Sequence, residues 1–203
     1  IALRREGIDL VHALAFAGPL AISIPWIATV YDLSFVRYPQ SFNRVNRLYL
    51  TWAVRQSVRR ANRVIAISES TKRDLVQMFG AKADRVSVVY CGVDPAFMRQ
   101  RHQTDLMEFC QRRNLPEKMI LHVGTIEPRK NIPFLVRAFT VLKRDPRHAS
   151  LRLIIAGRRG WLYGESERAR ARSPARDHII RWGAVDPDDR RLLYTGSSAF
   201  VYP

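Results

Sequence analysis

The sequence predicts an α/β protein whose sheets are parallel. Short β-branched apolar runs alternate with longer segments of helical spacing along all 203 residues, as in chains built from βα units. Several of the runs lack polar alternation, which is expected of strands that helices cover on both faces. Eight runs are predicted strands: 9–13, 26–31, 63–67, 86–90, 119–123, 151–156, 178–182 and 199–202. The last of them has the composition of a buried strand, but nothing after it in this sequence is expected to cover it.

The longest predicted helix follows the second strand and covers 41–60. Its apolar residues recur at steps of three and four, so we expect the helix to bury one stripe. Ser41 is its predicted N-cap. The stripe consists of Phe42, Val45, Leu48, Tyr49 and Trp52.

Later helices have start and stop signals that can be named. Ser68 is predicted to cap a helix that ends at Gly80, where glycine can adopt the left-handed conformation. Asn131 is the predicted cap of the helix after the fifth strand, and a proline in its first turn is tolerable there. Asp186 is predicted to begin the helix before the last strand in the same way.

The alternation of predicted strands and helices is interrupted between the fourth and fifth strands. This stretch is polar and charge-rich, and only 105–113 is predicted to form a short helix. Such composition is typical of a connection between domains. We therefore predict a first domain at 1–97, a connection at 98–116 and a second domain at 117–203.

The chain is strongly basic, with 34 Lys and Arg against 18 Asp and Glu and a formal net charge of +16. Such an excess attracts polyanions, so nucleic acid, anionic lipid and phosphorylated substrates are its candidate partners. Many of the arginines are scattered through predicted helices, which is typical of solvated faces. The charge alone therefore does not predict a specific polyanion site.

Several classes of site are disfavoured by the sequence. The five histidines show no HxxxH or HExxH spacing, which argues against a zinc site, and His122 and His178 are interpreted as hydrogen-bonded strand residues. The P-loop pattern of nucleotide triphosphatases does not occur. The two cysteines form no CxxC pair, which favours a reducing cytosol. No run approaches the roughly 20 apolar residues of a spanning helix.

The most specific signal lies in 120–131, where a strand, a glycine turn, two cations and a helix start follow one another. Gly124 permits a sharp turn at the carboxyl end of a parallel strand, where open α/β sheets bind ligands. The helix start offers amides and a positive dipole end to an anion. Arg129 can grip phosphate oxygens with its planar fork, and Lys130 adds a compact charge. The segment predicts a diphosphate site; the alternative is a solvated Arg–Lys pair in an ordinary loop.

The run Gly124-Thr125-Ile126-Glu127-Pro128-Arg129-Lys130-Asn131 resembles the GT-EPRKN signature of family 4 glycosyltransferases, particularly mannosyltransferase-like members. These are retaining enzymes with two Rossmann-like domains of the GT-B type. Segments 64–75, 86–94, 153–157, 182–185 and 199–203 are similar to further family segments in the same order. The resemblance implies that 1–97 is the C-terminal part of the acceptor-side domain and 117–203 the N-terminal part of the donor domain, both incomplete.

The resemblance also implies roles for individual residues. Arg129 and Lys130 would hold the donor diphosphate and act in catalysis, and Tyr31 and Asp32 would lie on the acceptor side. Tyr31 stands where the family usually has a histidine near the donor sugar. The chain also stops before two spaced glutamates of the family's donor site. Both departures count against activity of this segment by itself. The remaining implied donor-binding residues are Gly124, Thr125, Glu127, Asn131, Gly157, Gly183 and Val185, with the backbone of the last two against the nucleobase.

The implied reaction is the transfer of a sugar, with mannose favoured, from a nucleoside diphosphate to a hydroxyl with retention. The acceptor would be a saccharide or a lipid-linked sugar in polysaccharide or glycolipid synthesis, and the family implies no metal or other cofactor. The enzyme would be cytoplasmic, and its charge fits peripheral contact with the inner face of the plasma membrane; nucleic acid is not an expected partner. Two alternatives stay open: a non-catalytic basic module that binds nucleic acid or anionic membrane, and an inactive glycosyltransferase fragment.

Overall fold

The two halves of the chain form separate compact units, Ile1–Val93 and Asp94–Pro203. The computed structural model describes residues 6–19, 21–98 and 103–203, apart from the side chain of Gln103. In the described residues each unit contains one four-stranded sheet, and all of the strand pairs are parallel. The predicted parallel α/β class is therefore confirmed.

In the first unit, strands that are consecutive in the chain lie next to one another in the order β1-β2-β3-β4. Its elements are β1 (Val11–Ala13), β2 (Trp26–Val30), α1 (Ser34–Arg37), α2 (Arg44–Arg60), β3 (Arg63–Ala66), α3 (Glu69–Phe79) and β4 (Val86–Val88), with 3-10 turns at Pro39–Ser41 and Ala83–Arg85. The buried side chains of Trp26, Val30, Phe35 and Leu75 belong to its core.

In the second unit the strand order is β7-β6-β5-β8, so the chain crosses from one edge of the sheet to the other before its last strand. Apolar side chains are buried on both faces of β6: Leu153 belongs to one core cluster and Ile154 to another. The elements are α4 (Pro95–Met98), α5 (Gln103–Arg112), β5 (Met119–Val123), α6 (Ile132–Leu142), β6 (Arg152–Ala156), α7 (Gly164–Arg172), β7 (Ile179–Gly183), α8 (Pro187–Gly196) and β8 (Ala199–Phe200), with 3-10 turns at Pro128–Lys130, Pro146–His148 and Arg176–His178.

Two of the predicted helix caps are present and one was placed wrongly. Ser68 accepts a hydrogen bond from the Thr71 amide at 3.1 Å, and α3 ends at Gly80 in the left-handed conformation. The side chain of Asp186 caps α8. Ser41, however, closes a 3-10 turn, and the N-cap of α2 is Asn43.

The predicted burial of the apolar stripe on α2 is wrong for four of its five residues. Val45, Leu48, Tyr49 and Trp52 are exposed, and only Phe42 packs against the first core. The helix instead buries Ala53, Val54, Ser57 and Val58. Periodicity located an apolar stripe, but it could not tell which face of the helix meets the sheet.

Two further predictions concern segments of the second unit. The predicted short helix is confirmed as α5, whose Phe109 is buried in a core of that unit. The predicted strand 199–202 is present as β8 at an edge of the sheet, where Ala199 and Phe200 are exposed, as expected of a strand that nothing later in this chain covers. Residues 99–102 of the predicted connection lie outside the described residues, and its limits stay a prediction.

Candidate functional site

Three glycines lie side by side at the carboxyl edge of the second sheet. The Gly124 amide donates to the Ala156 carbonyl at 2.9 Å, and the Gly157 amide donates to the Gly183 carbonyl at 2.6 Å. Gly157 has φ 143°, and a Cβ there would lie 1.9 Å from the Gly124 carbonyl oxygen. Only glycine fits this close approach. The structure therefore brings together three glycines that the sequence placed after three separate strands.

The loop between β5 and α6 is anchored at both ends. Ile126 and Ile132 are buried in the same core cluster, with exposed fractions of 2% and 1%. Between them, the Lys130 amide donates to the Glu127 carbonyl at 3.0 Å, and the Asn131 amide donates to the Pro128 carbonyl at 3.1 Å. Residues 127–131 thus form a short hydrogen-bonded arch, which presents Arg129 and Lys130 between the buried residues Ile126 and Ile132.

Gly160 lies in the segment 157–161, which the family resemblance implies to be a donor-side loop, but its close packing was not predicted. Its amide donates to the Ile126 carbonyl at 3.0 Å, and a Cβ at this position would lie 2.5 Å from Cγ2 of Thr125. The loop after β6 is thereby pressed against the loop after β5. The available signal was a second glycine three residues after Gly157, since paired glycines mark close backbone approaches.

The two cations make different contacts. Nη2 of Arg129 lies 2.8 Å from Oε1 of Glu127, so the acidic residue of the motif orients the guanidinium. The Lys130 ammonium lies over the Tyr202 ring, 4.4 Å from its centroid, in a cation–π arrangement. Because Tyr202 follows β8, which pairs with β5, Lys130 reaches toward the end of the neighbouring strand.

The buried side chain of His122 packs against the ring of Tyr202. The rings of His122 and Tyr202 stack with centroids 5.5 Å apart and an angle of 18°, and Nδ1 of His122 lies 3.0 Å from the Val201 carbonyl oxygen. Burial lowers the pKa of His122; the Val201 hydrogen bond opposes that shift and the nearby Lys130 charge adds to it. The imidazole is therefore neutral at pH 7, with Nδ1 as the donor, and the positive charge of the stack resides on Lys130.

The predicted hydrogen bonding of His122 and His178 is only partly correct, and His178 lies in a 3-10 turn before β7 rather than in the strand. Nδ1 of His122 has its partner, whereas the buried Nε2 has none. Nε2 lies on the side of Gly124, 3.6 Å from where a Cβ of that glycine would be. In His178, Nδ1 is buried without a partner.

Asn131 begins α6 as predicted, through its backbone. It has φ 47° in the left-handed region, and its side chain makes no capping hydrogen bond. Its carbonyl accepts from the amides of Phe134 and Leu135 at 3.0 and 3.3 Å, and Pro133 has no amide hydrogen. The first turn therefore offers an anion fewer amides than a helix start usually does, and the cationic side chains carry more of the site's charge.

Two other donor-side predictions concern residues with different surroundings. Thr125 is exposed just before the arch. The side chain of Val185 is partly buried, because it packs against the core cluster that contains Phe109 and Trp182. Their roles in donor binding stay predictions.

Tyr31 and Asp32 follow β2 in the first unit. The Tyr31 carbonyl accepts from Oγ1 of Thr71 at 3.0 Å, and Oδ1 of Asp32 accepts from the Ser34 amide at 2.8 Å. Thr71, which the sequence analysis did not single out, is 5% exposed; the Ser68-x-x-Thr71 spacing was its signal. These contacts fix the carboxyl end of β2, and a role of Tyr31 or Asp32 toward an acceptor stays a prediction.

Two kinds of feature are absent from the described residues. Within ranges 6–19, 21–98 and 103–203, no group of three or more His, Cys, Asp or Glu is arranged to hold a metal ion. Over the same ranges, no helix is long and apolar enough to cross a bilayer.

Comparison with known proteins covers nearly the whole chain. The family model for Glycosyltransferase Family 4 matches residues 1–97, and that for Glycosyl transferases group 1 matches residues 104–203. O-antigen chain mannosyltransferase B of Escherichia coli is 27% identical over 183 residues, which are 87% of this chain and 46% of that protein. D-inositol 3-phosphate glycosyltransferase of Nocardia farcinica is 34% identical over 108 residues, 52% of this chain and 24% of that protein.

Solved structures share the fold at low sequence identity. Anabaena Alr3699/HepE in complex with UDP and glucose is 20% identical, with a TM-score of 0.69 over 88% of this chain and 46% of its own. WaaG, a glycosyltransferase involved in lipopolysaccharide biosynthesis, is 14% identical, with a TM-score of 0.73 over 100% of this chain and 55% of its own. The chain thus spans about half the length of the E. coli mannosyltransferase and of these two solved structures. The two family matches and the EPRKN arch together establish that the chain belongs to the family 4 glycosyltransferases of group 1.

Proposed function

We propose that this chain is part of a retaining glycosyltransferase that moves a sugar from a nucleoside diphosphate to a hydroxyl acceptor. The observation that carries the proposal is the convergence of three glycine-ended strands with the arch that presents Arg129 and Lys130. Mannose is the proposed sugar, supported by the name of the E. coli relative. The donor diphosphate would lie over Gly124, Gly157 and the arch, with the nucleobase against the backbone of 183–185.

The proposed mechanism rests on charge that develops as the glycosidic bond breaks. Negative charge grows on the departing diphosphate, and fixed cations directed at it stabilise the transition state more than the bound donor. Arg129, held by Glu127, and Lys130, held over Tyr202, would supply those cations. A departing phosphate oxygen would take the proton of the acceptor hydroxyl, so no separate general base is required.

The proposal extends to the acceptor and to the place of action. The acceptor would be a saccharide or lipid-linked sugar of polysaccharide or glycolipid synthesis, bound on the side of Tyr31 and Asp32. The names of the mannosyltransferase and WaaG relatives support this class. We place the enzyme in the cytoplasm, in peripheral contact with the inner face of the plasma membrane, where a net charge of +16 would be attracted to anionic lipid.

The donor assignment is tested by ligand-induced stabilisation. A nucleoside diphosphate at 100 times its Kd should add about 2.7 kcal/mol to the free energy of unfolding, seen as a rise in Tm with GDP or UDP. Lys130→Ala should reduce that rise, and in the complete enzyme it should lower turnover a few hundredfold, as loss of an oxyanion donor does. Lys118→Ala is the matched control, since this exposed lysine precedes β5 at the opposite edge of the sheet. Equal stabilisation of both variants would refute the assignment.

A further inference from the structure

The apolar stripe of α2 faces away from the sheet. Val45, Leu48, Tyr49 and Trp52 are 78%, 66%, 53% and 45% exposed. At about 100° per residue, the centre of this stripe lies roughly 160° around the helix from the buried face of 53–58. In the first unit α2 connects the two inner strands β2 and β3, and the stripe points away from the sheet that they form.

The charges of α2 select the kind of partner. From Arg44 to Arg60 the helix contains no acidic residue. Arg55 and Arg59 are exposed and continue the apolar stripe by one and two further turns, because residues three and four apart share a face. Arg44 is exposed beside the first turn of the stripe. The outer face of α2 is therefore apolar and aromatic in its first half and cationic in its second.

This combination fits an anionic bilayer surface better than the other partners of a basic protein. Tyr and Trp are enriched at the level of lipid headgroups, and Arg snorkels from an apolar face toward phosphate. Helices that combine such an apolar face with arginines lie in the membrane interface. A nucleic acid would use the arginines and leave four apolar side chains in water, and a second copy of α2, which has no acidic residue, would give Arg55 and Arg59 no opposite charge.

We propose that the outer face of α2 is a membrane-docking surface for anionic phospholipid. Tyr49 and Trp52, whose ring centroids are 6.4 Å apart, would enter the headgroup region together with Leu48, while Arg55 and Arg59 contact lipid phosphates. This surface would make the membrane contact of the proposed function, on which it rests. Its residues take no part in the proposed donor site. The two can therefore fail separately.

Vesicle co-sedimentation of the full chain tests the surface. We expect binding to vesicles of phosphatidylcholine and phosphatidylglycerol, and much weaker binding to phosphatidylcholine alone. The double substitution Leu48→Gln with Trp52→Gln should weaken binding by about tenfold or more, given the apolar area removed. Arg55→Gln with Arg59→Gln should weaken it by about tenfold as well. Phe134→Gln with Trp161→Gln is the matched control, since both residues are 51% exposed in the second unit.

Tryptophan fluorescence supplies a readout of position. Addition of the anionic vesicles should shift the emission to shorter wavelength, and the shift should persist in Trp161→Phe and be lost in Trp52→Phe. GDP or UDP should stabilise all of these variants as it stabilises the wild type, which separates this test from that of the donor site. Three results would overturn the proposal: absence of vesicle binding, equal binding by the stripe and control variants, or a dimer in size-exclusion chromatography that Leu48→Gln with Trp52→Gln dissociates.

Discussion

Lys130 is positioned by Tyr202, a residue that lies far from it in the sequence. Its ammonium rests on Tyr202, Tyr202 stacks on His122, and the backbone of Val201 holds Nδ1 of that histidine. Arg129, by contrast, is oriented by Glu127 from the same arch. The position of Arg129 thus depends on its own loop, whereas that of Lys130 depends on the pairing of β5 with β8.

Substitution of Tyr202 tests the positioning of Lys130. Tyr202→Leu removes the aromatic face, and since a partly exposed cation–π contact is worth about 0.5–1 kcal/mol, the Kd for GDP or UDP should rise about two- to fivefold. Tyr202→Phe keeps the face and should bind as the wild type does. Titration calorimetry measures both. Equal weakening by Leu and Phe would show that the ring does not act through Lys130.

Gly157 tests the close contact between the loops. Gly157→Ala places a Cβ against the Gly124 carbonyl oxygen in a backbone conformation that L residues rarely adopt, so the free energy of unfolding should fall by more than about 2 kcal/mol. Gly92→Ala is the control, because a Cβ there meets nothing within 4 Å. Urea denaturation compares the two. A Gly157→Ala protein as stable as the control would contradict the observed approach.

At the scale of elements, helices are tied to strands and to one another by a few polar groups at their ends. Ser68 caps α3 and contacts Thr71, whose hydroxyl reaches the carbonyl of Tyr31 after β2. Nε of Arg37, at the end of α1, donates to Oδ2 of Asp74 in α3 at 2.7 Å. Asp74 is 5% exposed, so this pair links two helices where one partner is buried.

The Arg37–Asp74 pair predicts a pH-dependent stability. The Arg37 hydrogen bond lowers the pKa of Asp74 more than burial raises it. A lowered folded-state pKa contributes stability above the unfolded-state pKa, and that contribution is lost as the pH falls through the folded value. Arg37→Ala should cost about 1–3 kcal/mol at pH 7 by leaving a buried carboxylate without its partner, and less once Asp74 is protonated in acid.

Urea denaturation at several pH values measures this effect, with Arg147→Ala as the control. Arg147 pairs with Asp145 on the surface, and its side chain is 83% exposed. Exposed pairs contribute about 0–1 kcal/mol, so this variant should differ little from the wild type. A cost for Arg37→Ala that does not decline toward acid pH would exclude the ion pair as its cause.

At the scale of the whole molecule, two α/β units have different tasks in the proposed enzyme. The cations and glycines assigned to the donor belong to the second unit, whereas the proposed acceptor side and the outer face of α2 belong to the first. Hydrogen exchange should therefore report GDP or UDP binding as protection of amides in 123–131 and 156–160. Equal protection of 26–32 in the first unit would contradict the assignment of the donor diphosphate to the second unit.

Much of this architecture could be predicted from the sequence because its signals are local. Strand composition, the Ser68 and Asp186 caps and the glycine after β5 each depend on neighbours within a few residues. The cations of 120–131 were predicted for the same reason, since the arch that presents them is one continuous segment. The close packing of Gly160 has a local signal too, the glycine three residues before it.

The sequence by itself determined the parallel α/β class, the order of the strands along the chain and the arch with Arg129 and Lys130. Only the tertiary structure decided that Tyr202 and His122 support Lys130, that Gly157 presses on Gly124, and that the stripe of α2 faces outward. These features depend on which strands become neighbours and which helix face meets the sheet. Periodicity within a segment fixes what lies on one face, but packing between distant segments chooses the face that is buried.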